Sequence, residues 1–94
     1  MEQKLAEEIA ELVAEELKTT AFLVKQPRLN PQAKIIEILF GDRIAKHDFV
    51  LEFDYKSDWW RFLRMGDDKV LGIFYKAPQA KLILDAVKLE VLHE

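Results

Sequence analysis

The chain has 94 residues, half of them hydrophobic and a third charged, with 14 Lys plus Arg against 17 Asp plus Glu for a formal charge of −3. That size accommodates a single domain, 1–94, with enough apolar surface to offset chain entropy, and leaves no room for a second independently cored unit. The near balance of charge excludes a uniform basic footprint for nucleic acid or an anionic membrane, and the lack of cysteine excludes disulfide frameworks, thiol nucleophiles, iron–sulfur clusters and Cys-based zinc sites.

From residue 3 to residue 18, Leu5, Ile9, Leu12, Val13 and Leu17 recur at three- and four-residue spacing with Ala6, Ala10 and Ala14 filling in. This predicts an amphipathic helix that buries the leucine-bearing stripe. Through Lys18 the segment holds six Glu against two Lys, net −4, so the remainder of the chain is +1 and the acidity is local. Glu throughout, instead of a basic stretch followed by an apolar run, does not read as a signal peptide, and no segment reaches about 18 uninterrupted apolar residues, which places the expectation in the cytoplasm. Uncharged polar residues are few, with Ser57, Thr19, Thr20 and Asn30 beside abundant Lys and Glu. That bias resembles thermophile composition.

A short β-prone run at 21–24 leads into a breaker-rich stretch containing Pro27 and Pro31, read as a long loop, and then into a strand at 34–40. Gly41 and Asp42 read as a turn. The strand-like segment 43–56 exceeds ordinary strand length, so a bend is expected near 46–48. Alternation is then strict: Phe49, Leu51, Phe53 and Tyr55 share one face, and Val50, Glu52, Asp54 and Lys56 the other. A two-residue turn at Ser57 and Asp58 sets Tyr55 opposite Trp60, Phe53 opposite Phe62, Leu51 opposite Arg64 and Asp54 opposite Arg61.

Gly66, Asp67 and Asp68 form a second turn signal before a strand at 70–76. Leu71, Ile73 and Tyr75 are expected on the aromatic face, with Val70, Gly72, Phe74 and Lys76 on the opposite one. Pro78 suits the first turn of a helix to about Leu92. Ala80, Ile83, Leu84, Val87 and Val91 lie on one side of it with Leu82, Ala86 and Leu89 adjoining, so burial on more than one side is expected. The fold class is α+β: an N-terminal amphipathic helix, a four- to five-stranded, mainly antiparallel meander sheet and a C-terminal helix.

The aromatic face supplies most of the core. The second face mixes Val50, Trp59, Leu63, Met65, Val70 and Phe74 with Glu52, Asp54, Lys56, Arg61 and Lys76. Two arrangements account for it: one helix on each face, or both helices on the aromatic face and another chain on the second. The second arrangement predicts a small non-catalytic protein-interaction module or accessory subunit that self-associates, with Trp59, Arg61, Leu63, Met65 and Phe74 as the interaction surface. A homo-oligomer or protein partner is expected, with no cofactor and no membrane.

Two alternatives rest on resemblance. Asp54, Tyr55 and Lys56 resemble the acid-x-Lys element of the PD-(D/E)xK nuclease superfamily, which implies a divalent metal held by Asp54 and an earlier acid, Asp42 or Asp48, with Lys56 assisting the attacking water. The order helix, antiparallel strands, helix resembles a double-stranded-RNA-binding domain, which implies that Lys76 and Lys81 at the start of the second helix meet phosphates. The sequence departs from that pattern in its acidic first helix and in lacking the glycine-rich strand turn. Gly41, Gly66 and Gly72 form no phosphate loop, His47 and His93 are far apart, and a triad of Ser57 and His47 has no elbow motif.

Overall fold

The computed structural model describes residues 1–20, 22–42 and 47–92. Helix α1 (Gln3–Lys18) forms where the periodicity places it, but it buries Ala6, Ala10, Val13, Ala14 and Leu17. Leu5 and Leu12 face away from the core, 48% and 71% exposed. The small residues win because the helix must lie close above a sheet face filled with phenylalanine rings, and alanine permits that approach at no rotamer cost. Its C-terminus is closed by the hydroxyls of Thr19 and Thr20, which donate to the carbonyls of Glu16 and Leu17 at 2.6 and 2.5 Å.

Strands β1 (Phe22–Val24) and β2 (Arg28–Asn30) both pair antiparallel with β3 (Ile35–Asp42), one at each end of it. Together they make one edge strand interrupted around Pro27, which has no N–H to give to a ladder. The stretch expected to be a loop therefore contributes to the sheet. Gly41 and Asp42 belong to β3 rather than to a turn, with Gly41 opposite Asp48. Strand β4 (Asp48–Asp54) begins there, and the bend expected at 46–48 falls partly outside the described residues.

The hairpin from β4 to β5 (Trp59–Arg64) pairs Phe53 with Trp60, Leu51 with Phe62 and Glu52 with Arg61. The expected register is corrected by two residues, because the loop is four residues long instead of two. Asp58 takes a left-handed φ of 60°, and the Asp54 carboxylate accepts the Ser57 N–H at 3.1 Å, closing the wider turn. Since side chains alternate with period two, this slip leaves every residue on its expected face.

Strand β6 (Val70–Phe74) departs further. Trp60 pairs with Phe74 and Phe62 with Gly72, but Leu63 pairs with Val70, so one extra residue is accommodated beside Leu71. That bulge inverts the expected phase. Phe74 lies on the aromatic face against the core, and Ile73 lies on the second face. Gly72 fits beneath the Phe74 ring, where an added Cβ would come within 3.0 Å of it.

Helix α2 (Ala80–Leu92) buries Ala80, Ile83, Val87 and Glu90. Burial on a second side does not occur, for Leu82, Leu89 and Leu92 are 50%, 58% and 77% exposed. Its first turn is capped across the fold by the Glu16 carboxylate of α1, which accepts the Ala80 N–H at 3.1 Å. Glu90 is held by Arg64 and Lys69.

The architecture is thus α+β, with the sheet order β1-β3-β4-β5-β6 and β2 beside β3. One continuous core joins residues of both helices to the aromatic face. Phe40, Phe49 and Phe62 sit 5.6 Å apart from one another, and Phe53 stacks on Trp60 at 4.2 Å. Both helices lie on that side. The other sheet face is left open by every described element.

Candidate functional site: the open sheet face

Three rows of side chains cross the open face. The first joins Ile35, Asp54 and Trp59. Asp54 accepts the indole N–H of Trp59 at 3.3 Å, which fixes the half-buried ring near the end of the hairpin. The second row is charged: Arg28, Glu37, Glu52 and Arg61 stand on four neighbouring strands. The two carboxylates are directly opposite each other, which repels. Each is compensated from its outer side, Glu37 by Arg28 at 3.3 Å and Glu52 by Arg61 through Nε at 2.9 Å and Nη2 at 2.6 Å. The third row, Leu39, Val50, Leu63 and Val70, is entirely apolar.

These rows line adjoining depressions. One of about 220 Å³ lies among Ile35, Glu52, Asp54, Trp59 and Arg61. The next, about 450 Å³, shares Glu52 and Arg61 with it and reaches Val50, Leu63, Met65 and Val70. The third, about 680 Å³, shares Met65 with the second and runs past Leu39 and Gly41 to Leu23. Met65, Val70, Ile73 and Leu23 are 45 to 57% exposed around this trough, whereas Val50 and Leu63 at its floor are buried.

Of the residues singled out from the sequence, Trp59, Arg61, Leu63 and Met65 are brought together here. Phe74 is not, because the β6 bulge turns it inward. Missed were Arg28, since a breaker-rich segment gave no sign of β2, Glu37, which alternates with Ile36 and Ile38 in the expected strand and is legible there, and Ile73, which the same bulge turns outward.

The nuclease-like grouping is not assembled. Asp54 is at one end of β4, while Asp48 is at the other, six residues or about 20 Å away. Asp42 lies near Asp48, across the hairpin from it. The Asp54 carboxylate is engaged by Ser57 and Trp59, and Lys56 is exposed in the turn. Among the described residues no group of three or more His, Asp or Glu is placed to hold a metal ion, and His93 lies outside them. The same separation divides Ser57 from His47, whose carbonyl accepts the Asp42 N–H at 2.9 Å.

Lys76 and Lys81 are exposed on either side of the α2 N-terminus. That terminus is occupied by the Glu16 carboxylate, which supplies the negative charge a phosphate would otherwise bring. Beyond the trough, Arg64 pairs with Asp67, and its guanidinium holds the Asp67 carboxyl down at about 2. No described helix is long and apolar enough to cross a membrane.

No family model, curated protein or solved structure matches the chain.

Proposed function

We propose that this chain is a small non-catalytic protein-interaction module, or accessory subunit, whose contact surface is the open sheet face and whose partner there is a second copy of itself. The observation that carries this reading is the placement of both helices on one side of the sheet, which leaves the apolar trough on the other side, with Val50 and Leu63 buried at its floor and Met65 and Val70 exposed at its rim, without a helix over it among the described residues. An antiparallel sheet that faces only water normally shows it a polar side. Here the apolar row is flanked by a charge row neutralised within itself, an arrangement that can be covered without stranding an unpaired charge.

Association through the sheet edges is disfavoured by their construction. The β1–β2 edge is broken at Pro27, and the β6 edge is five residues long, bulged, and flanked by Lys69 and Lys76. The face is the more favourable surface.

Sedimentation of the wild type from micromolar to millimolar concentration tests the proposal, beside Met65→Glu and Val70→Glu, which alter exposed positions without disturbing the core. Each substitution is expected to raise the dissociation constant by about tenfold or more, as a charge set into an apolar contact does. Trp59→Ala, which removes the aromatic anchor at the end of the trough, should act in the same direction. An average mass that neither glutamate changes would overturn the assignment.

A further inference from the structure

We infer that the outer surface of the helix layer is a second contact between copies of this chain, in which α1 of one protomer packs against α2 of another. This surface is separate from the open sheet face, for the two lie on opposite sides of the molecule.

Single exposed leucines on a helix need no explanation. Here they are repeated and matched. On α1, Leu5 and Leu12 are seven residues apart, and on α2, Leu82 and Leu89 are also seven apart, with Leu92 beyond. Seven residues are two helical turns, about 10.5 Å, so each helix presents two leucines on one outward line at the same repeat. Burial in the core is taken by other residues in both helices, Ala6, Ala10, Val13, Ala14 and Leu17 in one and Ala80, Ile83 and Val87 in the other. The leucine ridges are therefore surplus to the fold of one protomer.

The charges decide which ridge meets which. Glu8 and Glu15, again seven apart, accompany the α1 leucines, with Lys4 one turn before Glu8, while Glu7 and Glu11 lie on the flank toward β2; Glu15 also takes Lys18 at 3.0 Å. Lys81 and Lys88, at the same spacing, accompany the α2 leucines, with Asp85 between them. Packing α1 on α1 would bring the glutamates of two copies together at a cost, whereas α1 on α2 sets glutamate against lysine. Both helices belong to one layer, so a two-fold axis between them forms this contact twice, α1 on α2 and α2 on α1, as an isologous dimer requires.

A charge swap in the Met65→Glu background, in which the sheet-face contact is weakened, tests this. The Met65→Glu protein is expected to sediment as a dimer at high concentration. Adding Glu8→Lys with Glu15→Lys should raise its dissociation constant by at least about tenfold, and so should adding Lys81→Glu with Lys88→Glu, because each makes both contacts like-charged. Mixed in equal amounts, the two variants should recover a one-to-one dimer, identified by native mass spectrometry, since every contact again joins opposite charges. Circular dichroism of each variant alone checks that the surface changes leave the fold intact. A Met65→Glu protein that stays monomeric, charge variants that associate as before, or a mixture that fails to recover the dimer would each overturn the inference.

Discussion

Trp60 stacks on Phe53 with ring planes 6° apart and is 1% exposed, while Trp59 beside it is half-buried on the other face, tied to Asp54. The alternation of a strand sends two identical neighbours to opposite environments. Replacing Phe53 with Ala is expected to cost about 3–5 kcal/mol in urea unfolding, the usual range for a fully buried ring. Leu12→Ala, at 71% exposure, should change monomer stability by less than about 0.5 kcal/mol. Asp67 makes a different kind of prediction. Its folded carboxyl, held near 2 by Arg64, lies below the ordinary value of 3.8, so its contribution to stability is complete above that ordinary value and is lost as pH falls through 2. A carboxyl NMR titration should place its midpoint near 2 in the wild type and near the ordinary value in Arg64→Gln.

Elements were legible to different depths. The aromatic hairpin was readable because its face assignment depends only on parity. A two-residue slip in register, caused by a left-handed Asp58 that no glycine signalled, moved Phe53 from Phe62 to Trp60 without moving either ring out of the core. The β6 strand was misread because one extra residue beside Leu71 changes parity, and nothing in Val70, Leu71 and Gly72 distinguishes a bulge from a regular strand. In α1 the periodicity gave the helix but not its buried stripe, since alanine and leucine positions both fit a 3.6-residue repeat and only the close approach to the sheet selects the alanines. At α2 the first turn depends on a residue 64 positions away: Glu16→Ala, which removes the acceptor of the Ala80 N–H, should cost about 0.5–2 kcal/mol and speed amide exchange in the first turn of α2.

For the whole molecule, the amino-acid order alone determined the α+β class, the helix at each end, the antiparallel meander and the inward set of Phe49, Leu51, Phe53, Tyr55, Trp60 and Phe62. These follow from local periodicity, which a chain carries in its own spacing. Tertiary structure decided that both helices cover the same face, that Phe74 turns inward, that Arg28 and Glu37 extend the open face, and that Leu5, Leu12, Leu82 and Leu89 remain outside. Those outcomes depend on which surfaces pack most closely against which, and an apolar pattern states that a side chain can be buried without stating what will bury it.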